Sequence, residues 1–104
     1  MIRAEFFQSH GSLKGFVVSG HALFDDAGQD IVCAAVSSAV QLTCNGITEV
    51  LHYASDLTVS ENRISLRLPD NSLPAEPFLE ALNLHLDLLT EEYPGTIQVI
   101  HTEV

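Results

Sequence analysis

The chain has 104 residues, with 14 acidic and 4 basic side chains and a formal net charge of −10 when the histidines are neutral. This balance excludes the basic surface that a nucleic-acid-binding domain needs. Hydrophobic residues make up 46% of the chain, which is too many for an acidic disordered polypeptide. The length fits a single domain over residues 1–104 that buries its own core.

Three features of the sequence predict the cellular compartment: the N-terminal residues, the length of the apolar runs and the number of cysteines. The apolar runs are shorter than the roughly 20 residues that a membrane-spanning helix needs. Residues 1–7 lack the apolar segment and the cleavage site of a secretory signal. Two cysteines are too few for a disulfide scaffold, and their spacing does not match a structural zinc site. We expect a cytoplasmic protein without membrane contact.

The N-terminal part of the chain is predicted to form a β-hairpin. Residues 2–7 and 15–19 are rich in β-branched and aromatic side chains, and a turn that includes Gly11 separates them. Residues 21–29 contain two aspartates and show no sustained period, which favours a surface loop.

A long helix is predicted from about Asp30 to about Tyr53, because apolar side chains in this segment cover one broad arc of a helical wheel. Asp30 is a suitable N-cap, since its carboxylate could accept a hydrogen bond from an amide of the first turn. Gly46 weakens the prediction in the middle of the helix.

The second half of the chain repeats the order of strand, strand and helix and adds one strand. The predicted elements are strands at 57–60 and 63–68 around a two-residue turn, a helix from about 74 to 92, and a strand at 96–101. The order ββαββαβ predicts an α+β fold with two helices on a mostly antiparallel sheet. The sequence leaves the place of the last strand in the sheet open.

The second helix has more apolar surface than one buried face requires. Besides its main apolar stripe, Ala81, Leu84 and Leu88 form a smaller one. This stripe predicts a homodimer interface, and the alternative is that it packs inside the monomer.

Cys33 is the residue that most favours a catalytic interpretation. It is predicted near the third position of the first helix, where free backbone amides and the helix dipole stabilise a thiolate. His21 closes the second strand, and Cys33 opens the helix that packs back on the sheet, so the two could meet. A thiol beside an imidazole is the nucleophile and base of cysteine hydrolases. The alternative is a buried structural cysteine and an unrelated loop histidine.

The remaining candidates for chemistry are weaker. Cys44 follows Cys33 by eleven positions, or about 16 Å along one helix, which excludes a disulfide between them and makes Cys44 a packing residue. A metal held by Cys33, His21 and Asp25 or Asp26 has no recognised spacing to support it. We therefore predict neither a metal nor another cofactor.

Several of these residues also resemble a known family. Gly20-His21-Ala22, Gly28 and the run from Asp30 to Ser37, DIVCAAVS, resemble the signature of the bacterial ribosomal-processing cysteine protease family, Prp. The offset of twelve residues from His21 to Cys33 and the segment Glu91-Glu92-Tyr93-Pro94 are similar as well. With the element order, the resemblance covers essentially the whole chain.

The resemblance implies a dimeric cytoplasmic endopeptidase. Its substrate would be a basic precursor, large-subunit ribosomal protein twenty-seven, whose N-terminal extension is removed by cleavage after a hydrophobic, Phe-Phe-type segment. By the same resemblance, Cys33 is the nucleophile and His21 the general base and acid. Gly20 and Gly28 would be hinges of a loop over the substrate. Asp30 would cap the helix and order the site.

Ser37 also matches the family signature, but the sequence predicts no chemical role for it. Amides at the start of the helix, including that of Cys33, are candidates for stabilising the oxyanion.

Two other functions stay open. A non-catalytic module for ribosome assembly or substrate binding needs no reactive thiol, and a thiol-redox protein would need a nearby second cysteine.

Overall fold

The computed structural model describes the backbone of residues 1–20 and 27–104, and the side chains of residues 1–20 and 31–104. The elements are β1 (Ile2–Ser9), β2 (Ser12–Ser19), α1 (Ala27–Asn45), a π-helical turn (Gly46–Val50), β3 (Asp56–Ser60), β4 (Arg63–Arg67), a short 3-10 turn (Leu73–Ala75), α2 (Glu76–Glu92) and β5 (Ile97–Glu103). This order confirms the predicted ββαββαβ arrangement and the α+β class.

The five strands form one sheet in the order β3-β4-β2-β1-β5. The neighbouring pairs are antiparallel, except that β5 runs parallel to β1 at the sheet edge. The edge position of β5 answers the question that the sequence left open. Residues Phe6, Phe16 and Leu66 lie side by side across the central strands, fully buried under the two helices. This row is the centre of the hydrophobic core.

Helix α1 begins three residues earlier than predicted, at Ala27 rather than at Asp30. Gly28 is a poor helix former and Asp30 a good cap, so the sequence pattern favoured the later start. Once a helix is nucleated, each further residue adds a hydrogen bond at small cost, and this allows α1 to extend over Gly28. The N-cap prediction for Asp30 is therefore wrong, because the residue lies within the first turn of α1.

The helix also ends differently from the prediction, since the α-helical pattern stops at Asn45 and a π-helical turn follows. The backbone N–H of Leu51 donates to the carbonyl oxygen of Gly46 at 3.0 Å, the spacing of a π-helix. Gly46 is required by packing as well, because a Cβ there would lie 2.5 Å from the ring of Phe78 on α2. The close contact between the helices thus explains a glycine that the sequence identified only as a weak point.

Within the described part of the chain, one helical stretch, Ile31–Val50, is long and apolar enough to cross a membrane, with a mean hydropathy of 1.4. Its inner side chains Val32, Val36 and Val40 are buried against the sheet. That packing is typical of the core helix of an α+β domain, which meets the same length and hydropathy criteria.

The outer face of the helices is apolar and exposed. The smaller stripe on α2 does not pack inside the monomer, because Leu84 is 60% exposed and Leu88 52% exposed. Leu42 on α1 is 72% exposed and lines a groove of about 630 Å³ between the two helices. The alternative of internal packing is therefore wrong, and we call this surface the outer helical face.

Candidate active site

Cys33 lies on the second turn of α1, six residues after Ala27, where it is half-buried against the hydrophobic core. This position differs from the predicted one in the first turn. The amide of Cys33 has a helical acceptor in the carbonyl of Gln29, so it is not one of the free amides at the helix start. The helix dipole also acts mainly on the first turn. The structure therefore does not support an oxyanion role for the Cys33 amide.

The Cys33 side chain borders a cavity of about 230 Å³ that lies between α1 and strands β2, β3 and β4. Most of its wall is apolar and comes from both layers of the fold, namely from Ile2, Val18, Val36, Val40, Val59 and Ile64. The polar part of the wall includes Ser37, Asn62 and Arg63. The cavity can hold an apolar side chain beside the thiol while polar groups meet a peptide backbone.

Gly20 lies in the same cavity wall, at the end of β2 and directly before His21 in the chain. Its φ is +86°, and a Cβ at this position would lie 2.8 Å from the carbonyl oxygen of Met1. Its N–H donates to the carbonyl oxygen of Asn62 at 3.0 Å. Gly20 is thus favoured both by its left-handed backbone and by the close approach of Met1, and one hydrogen bond joins it to the turn between β3 and β4. The role of Gly20 as a hinge stays a prediction.

His21 itself lies outside the described residues, together with Asp25 and Asp26. The pairing of His21 with Cys33 therefore stays a prediction. What the structure places together is Cys33 and Gly20, the chain neighbour of His21, in one cavity.

The predictions for Ser37, Gly28 and Asp30 agree with the structure to different degrees. Ser37 is exposed, lies one helical turn after Cys33 and lines the same cavity, so the side chain that the family signature includes is at the site. The backbone of Gly28 lies inside α1 rather than in a loop, so the prediction of a loop hinge at Gly28 is wrong. For Asp30 the backbone position excludes the capping role, and the site-ordering role stays a prediction.

Sequence reasoning missed Asn62 and Arg63, which the fold brings to the cavity from the hairpin that follows α1 in the chain. The hairpin turn before Arg63 was predicted, but the sequence does not show that β4 pairs with β2. That pairing sets Arg63 opposite Ser19, directly before Gly20. Arg63 is one of only 4 basic residues in the chain, and it brings a positive charge to the wall of this cavity.

Cys44 has a different environment on the same helix. Its side chain is buried in the core, and burial raises the pKa of the Cys44 thiol. Both cysteines are thiols rather than disulfide partners. The prediction that Cys44 is a packing residue is confirmed by its burial, and the separation of the two thiols along α1 opposes a redox pair within the chain.

Comparison with known proteins identifies the fold and the family. The sequence profile of the family described as cysteine protease Prp matches residues 1–98. The chain belongs to the Prp cysteine protease family. A relative from Bacillus subtilis, the ribosomal processing cysteine protease Prp, is 26% identical over an alignment of 107 residues. The alignment, with its gaps, covers 95% of this chain and 96% of the relative. The family resemblance noted from the sequence is thereby confirmed.

Solved structures share the fold of this chain. A crystal structure of the essential ribosomal processing protease Prp from S. aureus with a covalently linked product peptide has a TM-score of 0.88 at 24% identity, over 98% of this chain and 100% of that one. The same protein with a substrate peptide gives the same values. A Streptococcus mutans protein has a TM-score of 0.88 at 25% identity, over 100% of this chain and 96% of that one. These neighbours share the fold described above.

Proposed function

We propose that this member of the Prp family is an active cysteine endopeptidase in which Cys33 is the nucleophile and His21 the general base and acid. The observation that carries the proposal is the cavity that Cys33 shares with Gly20. Gly20 donates a hydrogen bond to the Asn62 carbonyl oxygen in this cavity wall, and it directly precedes His21 in the chain.

The proposed reaction has two steps. His21 takes the thiol proton of Cys33, and the sulfur attacks the carbonyl carbon of the scissile bond. The C–N bond breaks, His21 gives its proton to the leaving amine, and a thioester remains on Cys33. Water, activated by His21, then attacks the thioester carbonyl; the acid product leaves and the thiol takes up the proton again. The reaction needs no metal or other cofactor.

The proposed substrate is the precursor of large-subunit ribosomal protein twenty-seven, cut after a hydrophobic, Phe-Phe-type segment in the cytoplasm. This part of the proposal rests on the family resemblance, and two properties of the protein support it. The apolar wall of the Cys33 cavity suits a hydrophobic residue next to the scissile bond. The net charge of −10 favours the approach of a basic ribosomal precursor.

The test is the cleavage of a purified peptide whose extension ends in Phe-Phe, followed by mass spectrometry of the products. We expect Cys33→Ala to lower kcat/KM by about a thousandfold or more, because the nucleophile is lost, and His21→Ala to cause a loss of similar order. Cys44→Ala is the matched control and should keep most of the activity. Undiminished cleavage by Cys33→Ala would refute the assignment of the nucleophile.

Ionic strength tests the role proposed for the acidic surface. If charge steers a basic substrate to the enzyme, kcat/KM should fall several-fold between about 0.02 and 0.3 M salt, because screening shortens the reach of the surface charges. A neutral peptide with the same cleavage segment is the control and should show little change. Equal salt dependence of the two peptides would mean that the acidic surplus serves only solubility.

A non-catalytic ribosome-assembly or substrate-binding module is the second candidate, favoured by the acidic surface alone. The two functions differ in what His21 does to Cys33. In an enzyme, His21→Ala should slow the alkylation of Cys33, because the imidazole no longer takes the thiol proton. In a binding module the rate should be the same with and without the imidazole.

We also propose that two copies of the protein associate through the outer helical face. Three large apolar side chains are exposed on the helices, Leu42 on α1 and Leu84 and Leu88 on α2, and Ala81 of the same α2 stripe lines the groove between the helices. Burial of such a patch in a dimer removes it from water. Sedimentation velocity should give a dimer for the wild-type protein and a monomer for Leu84→Asp, whereas a wild-type monomer at high concentration would exclude this interface.

A further inference from the structure

The inner side of β3 is an apolar surface that neither helix covers. β3 is an edge strand, and its only partner among the described strands is β4. Leu57 and Val59 lie opposite Leu66 and Ile64, on the side of the sheet that faces the helices. They nevertheless stay 41% and 67% exposed, because α1 packs over the central strands and leaves this edge open.

This surface is continuous with the cavity at Cys33. A second cavity of about 230 Å³ lies between the C-terminal half of α1 and β3, and it shares Val59 and Ile64 with the Cys33 cavity. A third, of about 420 Å³, shares Leu57 with the second and reaches Glu49. The three cavities thus follow one another along β3, each sharing a wall residue with the next, and we call this row of cavities the β3 groove.

The length of the groove suits an extended peptide. From Cys33 to Asn45, which lines the second cavity, α1 rises about 18 Å at 1.5 Å per residue. An extended chain advances about 3.3 Å per residue, so this distance corresponds to about five residues. The free edge of β3 supplies backbone N–H and C=O groups along the same line, which can bind an extended chain as an added strand.

Polar groups complete the groove in a way that suits a peptide. Gln41 and Asn45 line the helix side of the second cavity and can bond to backbone amides and carbonyls. Glu49 lies at the far end, and neither Lys nor Arg is among the residues that line the second and third cavities. The groove thus has a mainly apolar wall with Arg63 at the Cys33 end and negative charge at the far end, where it complements a basic substrate segment.

We propose that the β3 groove binds the substrate chain for about five residues beyond the scissile bond, and that Leu57 and Val59 determine specificity there. This inference rests on the proposed function and adds a second recognition site to it. The occupant is the substrate itself, because an endopeptidase substrate must continue past the scissile bond and the groove is open to the cavity at Cys33. The added subsite makes the enzyme select for a long extended segment rather than for one residue.

The test compares long and short peptides with the variant Leu57→Thr. Leu57 lines the second and third cavities only, whereas Val59 also lines the Cys33 cavity, so its replacement would affect both peptides. Threonine suits a strand but removes apolar contact. The long peptide has about six residues on each side of the scissile bond and the short one about two, so that only the long one spans the groove. The variant should lower kcat/KM about tenfold for the long peptide, and less than about twofold for the short one. Thr58→Val, on the opposite face of the same strand, is the matched control and should change neither value.

A binding measurement separates this inference from the proposed function. In a Cys33→Ala background, fluorescence anisotropy of the labelled long peptide should show about tenfold weaker binding when Leu57 is replaced by threonine. That result would support the groove even if the wild-type protein cleaved nothing, whereas unaltered binding and an unaltered ratio of long to short peptide would refute it. Equal losses for both peptides, accompanied by dissociation of a dimer in sedimentation, would assign the groove to contacts between copies and would also overturn the inference.

Discussion

The two cysteines of α1 show how position on one helix decides what the same side chain can do. Cys33, on the second turn, is half-buried and opens onto a cavity that also contains Arg63 and the end of β2. Cys44, three turns later, is buried in the core, where burial raises the pKa of its thiol. A buried thiol with a raised pKa is a poor nucleophile, because the thiolate is the reactive form. The difference makes Cys33 the better candidate for a nucleophile and Cys44 a packing residue that borders the second cavity of the β3 groove.

The largest effect that we expect from this comparison is a difference in alkylation rate. Under native conditions iodoacetamide should modify Cys33 at least about a hundredfold faster than Cys44, because Cys44 reacts only after local opening of the core. Peptide mapping by mass spectrometry gives both rates in one sample. In denaturant the two rates should become similar. A native Cys44 that reacts as fast as Cys33 would show that the C-terminal half of α1 is not packed as described.

The next effect concerns Gly20, which lines the cavity at Cys33. Gly20→Ala should lower kcat/KM by about tenfold or more, because the new Cβ meets the Met1 carbonyl oxygen and shifts the chain that leads to His21. Gly11→Ala is the control: Gly11 also has a positive φ, +80°, but a Cβ there meets nothing within 4 Å. Both variants place an alanine at a positive φ, and only Gly20→Ala also adds a close contact. Equal activities of the two variants would therefore contradict the positioning role of Gly20.

The smallest effect is on stability, and it should depend on which cysteine is replaced. Cys44→Ala should lower the free energy of unfolding by about 1 kcal/mol, with a fall of several degrees in Tm, whereas Cys33→Ala should cost less, because Cys33 is only half-buried. Thermal unfolding followed by circular dichroism measures both changes. A larger loss for Cys33→Ala would contradict the described burial.

The pKa shift of Cys44 also gives the wild-type protein a pH dependence. Because burial raises the pKa of this thiol, the unfolded chain loses its proton first as the pH rises past the ordinary value of 9.0. The unfolded state then binds fewer protons than the native one, and stability falls until the folded thiol also ionises. Urea unfolding above the ordinary value should therefore show a steeper loss of stability for the wild type than for Cys44→Ala, and parallel losses would contradict the shift.

The sequence predicted the parts of the fold that depend on local pattern. The alternation of residues 57–60 and 63–68 identified the second hairpin, and the apolar stripe identified α2. It failed at both ends of α1: the helix extends over Gly28 at its start, and at its end a π-helical turn begins at Gly46, which packs closely against Phe78. The edge position of β5 could not be read from the sequence either, because strand order depends on pairing between distant segments.

The candidate site was predicted less completely than the fold. Cys33 could be found because a thiol near a helix start is a recognisable pattern, and Ser37 because the family signature includes it. Asn62 and Arg63 could not be found, since they reach the cavity only through the pairing of β4 with β2. The groove beside β3 was equally invisible, because exposed Leu57 and Val59 look like ordinary inward-facing residues of an alternating strand.

The central claim is that Cys33 attacks the substrate and Cys44 does not, and a substrate-like electrophile tests it most directly. A chloromethyl ketone on a peptide that ends in Phe-Phe should alkylate Cys33 alone, with one equivalent abolishing cleavage, and His21→Ala should slow the labelling. Mass spectrometry of the digested adduct locates the label. The account predicts the label on Cys33 and complete inhibition; a label on Cys44, or continued cleavage by protein fully labelled at Cys33, would contradict it.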